Sequence, residues 1–260
     1  MDLTNNYPEL DVLPVKPPTV TRTIHHHPAL PDLTSGSCCL MCAAPRSGKT
    51  VVINWLLLHP NAFKDKFPGG VYIFSGSMRN GDASARFLLE EFDETVFSDY
   101  SDDLLRSIVS YHQSIPKDER EPWALIIDDY IGWKLPHSSY LFKFASEFRH
   151  SGCAFLLYSG QLYKSVPPLV RMCAHYAIFF GTANGKEITK MWEELGSRFG
   201  TEEHFKSLLD KATAEPHGFL YLDLYSRPAT AYKCFKEVIW RGPSTNGEAS
   251  QPISAAGFEG

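Results

Sequence analysis

The apolar residues of this chain gather into short β-branched and aromatic runs, separated by longer stretches in which apolar positions recur every three or four residues. Runs at 38–43, 71–74, 124–128, 154–158 and 176–180 are almost continuously apolar. Strands of that kind belong to a sheet covered on both faces. A later pair, 219–225 and 230–235, turned at Arg227-Pro228, predicts a C-terminal β-hairpin. Helical spacing predicts helices over 49–58, 83–91, 101–113, 138–150, 185–199 and 201–214. Strands alternating with helices predict an α/β fold with a mainly parallel sheet and helices on both faces. The flanks differ. Residues 1–36 carry Pro8, Pro14, Pro17, Pro18, Pro28 and Pro31 with little periodicity, which reads as a Pro-rich N-terminal arm. Residues 241–260 are rich in Gly, Ser, Pro and Ala and read as a flexible C-terminal tail. Residues 37–240 remain as one domain, which suits a chain of 260 residues.

Composition narrows the class. An apolar fraction of 43% with 21% charged residues is that of a globular domain. The longest apolar run, 51–58, is interrupted by Asn54 and is too short to cross a bilayer, and no signal peptide opens the chain, so no membrane partner is expected. Cys38, Cys39 and Cys42 fall in one apolar run and read as reduced, buried thiols. Cys39 and Cys42 form a C-x-x-C, but no second ligand pair follows at zinc spacing, so no metal is assigned to it. His25, His26 and His27 lie in the extended arm, where adjacent side chains cannot all face one ion. A net charge of −5 shows no basic surplus, so any contact with nucleic acid must be local.

The chemistry concentrates at strand ends. Ala43-Ala44-Pro45-Arg46-Ser47-Gly48-Lys49-Thr50 follows a strand and opens a helix, the context that a phosphate-binding loop needs. Backbone N–H groups of this turn wrap phosphates, Lys49 reaches the β and γ oxygens of ATP, and the Thr50 hydroxyl ligates Mg2+. Ala43 stands where the pattern has its first Gly, which requires ordinary backbone angles there. About eighty residues downstream, the strand Ala124-Leu125-Ile126-Ile127 ends in Asp128 and Asp129. Asp128 suits the magnesium ion and Asp129 suits a general base for the attacking water. A third apolar strand ends in Ser159-Gly160-Gln161, and the Gln161 amide can sense the γ-phosphate or orient the water.

The order of these features, with Arg149-His150 before the third strand and a Gly218-Phe219-Leu220-Tyr221-Leu222-Asp223 strand after it, resembles the FtsK/HerA superfamily. Within it, the chain is similar to the genome-packaging ATPases of poxviruses, other large DNA viruses and virophages. Ala43 in place of Gly, and Gly160 between Ser159 and Gln161, depart from the pattern. The resemblance implies a P-loop NTPase of the ASCE, RecA-like kind, with the sensor strand between the phosphate-loop and Walker B strands. It implies an ATP-driven double-stranded DNA translocase that packages a viral genome into a preformed capsid. The implied partners are double-stranded DNA, further copies in a homo-oligomeric ring, and a capsid or portal-vertex protein. The implied location is the host cytoplasm, in a viral factory, or the virion. It also makes Arg149 the first candidate for an arginine finger acting on a neighbour's ATP and Arg171 the second, while Arg46 is a rival acting in cis. From 131 to 175 the chain carries Lys134, Lys143, Arg149, Lys164 and Arg171 against one acid, Glu147, a local excess able to line a pore. The stretch 82–103, eight acids against Arg86, reads as a solvated surface. Two rival readings share these motifs: a motor for extrusion, conjugation or repair, and a nucleotide-binding assembly protein without turnover.

Overall fold

The computed structural model describes residues 29–80, 83–129, 136 and 139–243. His25 to His27, Lys134, Asp82 and most of both flanks lie outside the described residues. Nine strands form one sheet in the order β3-β2-β4-β5-β1-β6-β7-β8-β9. They are β1 Ser37–Cys42, β2 Val71–Ser75, β3 Val96–Phe97, β4 Trp123–Asp128, β5 Cys153–Gly160, β6 Tyr176–Phe180, β7 Phe219–Asp223, β8 Thr230–Lys233 and β9 Glu237–Arg241. The first six pair in parallel, and β6 to β9 pair antiparallel. β5 lies between β1 and β4, the order that the resemblance implied.

The helices are α1 Lys49–Leu58, α2 Arg86–Phe92, α3 Asp102–Ser114, α4 Tyr140–Glu147, α5 Pro168–Met172, α6 Gly185–Met191 and α7 Glu202–Ala212. Side chains that cap N-termini set several starts: Ser101 accepts from the Leu104 N–H, and Thr201 from the His204 N–H. The helix predicted over 185–199 is α6 followed by a π turn at Trp192–Gly196 and a 3-10 turn at Ser197–Phe199. α5, β3 and β9 are additions to the predicted elements. β3 and α5 are too short for a periodic signal, and β9 is only half-buried.

Every residue of β1, β4, β5 and β6 is buried, as the unbroken apolar runs require. Successive side chains of β1 serve opposite faces. Cys38, Leu40 and Cys42 join the core under α3 to α7, while Cys39, Met41 and Ala43 join the core under α1 and α2. Cys39 and Cys42 therefore point away from each other, and burial pushes their thiols well above the usual range. Each fully buried Leu, Ile or Phe contributes about 1.5–3 kcal/mol relative to exposure, so these two layers hold the strand tips rigidly. Residues 29–36, read from the sequence as the end of the arm, lie against the domain: Leu30 and Leu33 are buried in the α1 layer. The Tyr176 hydroxyl accepts from the Asp32 N–H at 3.1 Å.

Candidate active site

The phosphate loop leaves β1 at Ala43, whose N–H donates to the Gly160 carbonyl at 3.0 Å. Ala43 is buried and keeps ordinary backbone angles, so its methyl group takes the place of hydrogen without strain. The loop turns afterwards, with Arg46 at φ 64° and Gly48 at φ 103°. Gly48 in that left-handed region caps α1, and a side chain there would also press on His217. Ala44, Pro45 and Arg46 are exposed, and Ser47 tightens the turn by donating from N–H and Oγ to the Ala44 carbonyl. Lys49 and Thr50 open α1, where helix N–H groups and the helix dipole favour an anion.

Lys49 reaches across to the tip of β4. Its Nζ lies 3.1 Å from Asp128 Oδ1 and pairs closely with Asp129 Oδ1. Burial disfavours the ammonium charge, but the two carboxylates outweigh it and raise the Lys49 pKa. Asp128 is fully buried. Ser159 Oγ, from β5, donates to its Oδ1 at 2.8 Å, and Ser75 Oγ, from β2, donates to its Oδ2 at 3.0 Å. Asp129, one residue past the strand, stands at φ 53° and turns its carboxylate toward Lys49. Gln161, one residue past β5, shares a cavity of about 200 Å3 with Ala43, Ala44, Pro45, Thr182 and Glu187. Lys49, Thr50, Asp128, Asp129, Gln161 and the loop 44–48 thus meet at one edge of the sheet, at the C-terminal ends of the parallel strands.

No family model matches the sequence, and no curated protein matches it. Solved structures do. The genome packaging NTPase B204 from Sulfolobus turreted icosahedral virus 2, in complex with AMP, is 19% identical with a TM-score of 0.54, over 76% of this chain and 96% of that one. Its complex with ATP-gammaS gives 18% and 0.53 over 76% and 96%. The DNA-packaging ATPase B204 from Sulfolobus turreted icosahedral virus gives 18% and 0.55 over 75% and 96%. The chain has the fold of these packaging NTPases.

In this packaging-NTPase fold, Arg149 lies at the far edge. It sits in a 3-10 turn, Phe148–Ser151, just before β5. The eight residues of β5 separate it from Gln161 by about 26 Å at ~3.3 Å per residue. There it pairs with His175 Nε2 and lies 5.5 Å over the Phe148 ring. His175 Nδ1 accepts the Cys38 N–H at 2.9 Å, and burial, then the Arg149 charge, lowers the His175 pKa to about 4. Arg149 is not brought to its own phosphate loop.

Arg171 corrects an expectation: it is not a projecting arginine. Its side chain is 10% exposed, its Nε is 3.1 Å from Glu194 Oε2, and its guanidinium lies 5.1 Å over Tyr163. Among the described residues Nε makes no aligned hydrogen bond, so the contact is ionic. The basic run read over 131–175 is corrected with it. Lys143 pairs with Glu147, Lys164 with buried Glu187, and Arg171 with Glu194. Counting along the chain included Glu147 but missed Glu187 and Glu194, which arrive from α6 and the π turn.

Residues that the motifs did not point to complete the edge. Ser75 and Ser159 orient Asp128; Ser159 was visible as a polar strand tip, and Ser75 carried no signal beyond ending its strand. His217, at φ 63°, places Nδ1 3.0 Å from the Ser47 carbonyl. A groove of about 1150 Å3 runs from Gly48 and Val51 along α1, with His217 and Phe235 on its other wall. Among the described residues, no group of three or more His, Cys, Asp or Glu could hold a metal, and no helix is long and apolar enough to cross a membrane.

Proposed function

We propose that this protein is an ATPase that drives double-stranded DNA into a preformed viral capsid, working as a homo-oligomeric ring at a capsid or portal-vertex protein. The observation that carries the reading is Lys49 of the phosphate loop bridging Asp128 and Asp129, with the Gln161 strand tip beside it. The packaging role draws support from the shared fold alone; ring, DNA and capsid follow from the resemblance in the motifs.

Loop N–H groups at 46–50 bind the phosphates, and the nucleoside lies along the start of the groove against Val51 and His217. Mg2+ fits the donors present: an oxygen set of Thr50 and Asp128 leaves room for phosphate oxygens and water, which suits an ion that retains waters. When bound, it neutralises charge on the phosphate oxygens. Lys49 exchanges its carboxylate partners for β and γ oxygens, which frees Asp129. Asp129 then takes a proton from water as the water oxygen attacks the γ-phosphorus, and the bond to the β–γ bridging oxygen breaks, releasing ADP. Gln161 orients that water. Arg149, remote from its own nucleotide, serves the site of the next subunit. The work is done in the host cytoplasm or the virion.

Turnover of ATP by the purified protein, with and without duplex DNA, tests the proposal. Asp129→Asn is expected to lower kcat by about 10² to 10⁴ with nucleotide affinity retained. Unchanged hydrolysis in that variant removes the assignment of Asp129. Hydrolysis that duplex DNA never stimulates, with no movement along DNA, removes the motor.

A further inference from the structure

A carboxylate that the mechanism does not use is buried beside the sensor. Glu187, third residue of α6, is 2% exposed. Its Oε2 accepts the Lys164 N–H at 3.2 Å, and its Oε1 lies 3.8 Å from Lys164 Nζ. It lines the same cavity as Gln161 and the phosphate-loop residues Ala43 to Pro45. A glutamate in the first turn of a helix gains from the dipole while remaining in water. Burying it is costly unless its oxygens are engaged, so its inward position calls for a partner that matters.

That partner is the backbone of the sensor segment. We propose that Glu187 is a positioning residue for Gln161, fixing the chain that leaves β5 so that the amide faces the γ-phosphate. Gln161 is exposed at the cavity mouth, so its direction is set by the backbone on either side. On the upstream side, Gly160 is in register with Cys42 and its carbonyl accepts the Ala43 N–H at 3.0 Å, which locks β5 to the phosphate loop. On the downstream side, Glu187 holds the Lys164 N–H. The residues around Lys164 are tied to the same helical segment: the Tyr163 hydroxyl donates to Glu194 Oε2 at 2.8 Å, and Glu194 Oε1 is 3.0 Å from Lys190 Nζ. Gln161 is thus held at two points, one on the phosphate loop and one on α6. Removing Glu187 loosens the second, leaving the Tyr163–Glu194 bond as its remaining tie.

This inference rests on the ATPase reading, and the experiment separates the two. Affinities for ATP-gammaS and for ADP are measured alongside kcat in the full chain, for Glu187→Ala, Glu187→Gln, Gln161→Ala and the Glu187→Ala/Gln161→Ala double variant. Glu187→Ala is expected to lower the preference for ATP-gammaS over ADP about tenfold and kcat by about 10²-fold, with ADP affinity unchanged. Glu187→Gln keeps an acceptor oxygen and restores both to within about threefold. The double variant falls no further than Gln161→Ala, because the two residues act as one unit. Should Glu187→Ala not fold, Glu187→Met fills the space without an acceptor and carries the same expectation. Losses that multiply in the double variant, an unchanged affinity ratio in Glu187→Ala, or a Gln variant as impaired as the Ala variant overturn the role of Glu187. A chain that discriminates the γ-phosphate yet turns over no ATP overturns the ATPase reading and leaves the ratio to decide on Glu187. A chain that binds neither nucleotide overturns both.

Discussion

The two edges of the parallel sheet are built on different principles. At the C-terminal edge, loop 44–50, Asp128, Asp129 and Gln161 converge, and their charges answer one another through Lys49. At the N-terminal edge one arginine, Arg149, stands against a histidine held neutral by burial and by that arginine. Among the described residues, no carboxylate forms an ion pair with this guanidinium, which rests against an uncharged imidazole. The first edge gathers opposite charges that pair with one another, while the second presents a charge that, among the described residues, pairs with no carboxylate. Under the proposed function its partner is the ATP of the neighbouring subunit.

The comparison can be broken most sharply at Arg149. Arg149→Ala is expected to lower turnover by about 10³-fold or more while leaving nucleotide affinity of the single chain unchanged. Lys49→Ala is expected to cost on the order of 10² to 10³ in kcat and to weaken nucleotide binding as well. Mixing these two impaired proteins provides the decisive assay: subunits with an intact Lys49 next to subunits with an intact Arg149 regain turnover if the edges serve each other in trans. No recovery on mixing means that Arg149 acts within its own chain or not at all. A smaller effect sharpens the description of the first edge. Ser159→Ala removes one of the two hydroxyls that orient Asp128 and is expected to lower kcat about tenfold with the melting temperature nearly unchanged, read by steady-state kinetics and thermal melts.

The smallest expected effect is on stability. Burial first, and the charge of Arg120 second, lower the His112 pKa to about 4, as burial and Arg149 do for His175. Both values lie below the ordinary histidine value of 6.5. The unfolded chain therefore binds protons that the folded chain does not, and stability is full above pH 6.5 and declines as pH falls toward 4. His112 stacks on Trp123 at 4.7 Å, and among the described residues its Nε2 has no hydrogen-bond partner, so His112→Phe is expected to fold and to flatten part of that decline. Melting temperatures recorded across this pH range check it, and an unaltered slope in the variant rejects it.

Much of this was legible in the residues. The strand cores at 38–43, 124–128 and 154–158 announced themselves because a strand buried on both faces must be apolar throughout; the last two ended in polar residues of the candidate site, and the first led into the phosphate-loop pattern. Asp128, Asp129 and Gln161 could be named because strand tips are where a parallel sheet exposes its chemistry, and Thr50 because the phosphate-loop pattern fixes its place. The hidden part has a common cause. Ser75, Glu187 and His217 reach the site from β2, α6 and the approach to β7, and nothing local marks a serine, a first-turn glutamate or a histidine as distant partners. Burial of Arg171 was invisible for the same reason, since its acid comes from a π turn that the periodicity showed only as helix. The pairing of Arg149 with His175 needed the β1–β6 register, which brings residue 175 beside the start of β1.

One backbone angle carries a last consequence. Asp129 stands at φ 53°, a conformation that asparagine adopts about as readily as aspartate and most other side chains resist. The easiest replacement at this position thus suits the backbone and the shape of the subunit while deleting the carboxylate that the proposed function makes the proton acceptor. Under the proposed function, such a subunit would enter the ring unnoticed and stall it from within. On that reading, a single asparagine codon, co-expressed with the intact chain, is expected to make a dominant-negative poison whose potency reports how many members of the ring must fire.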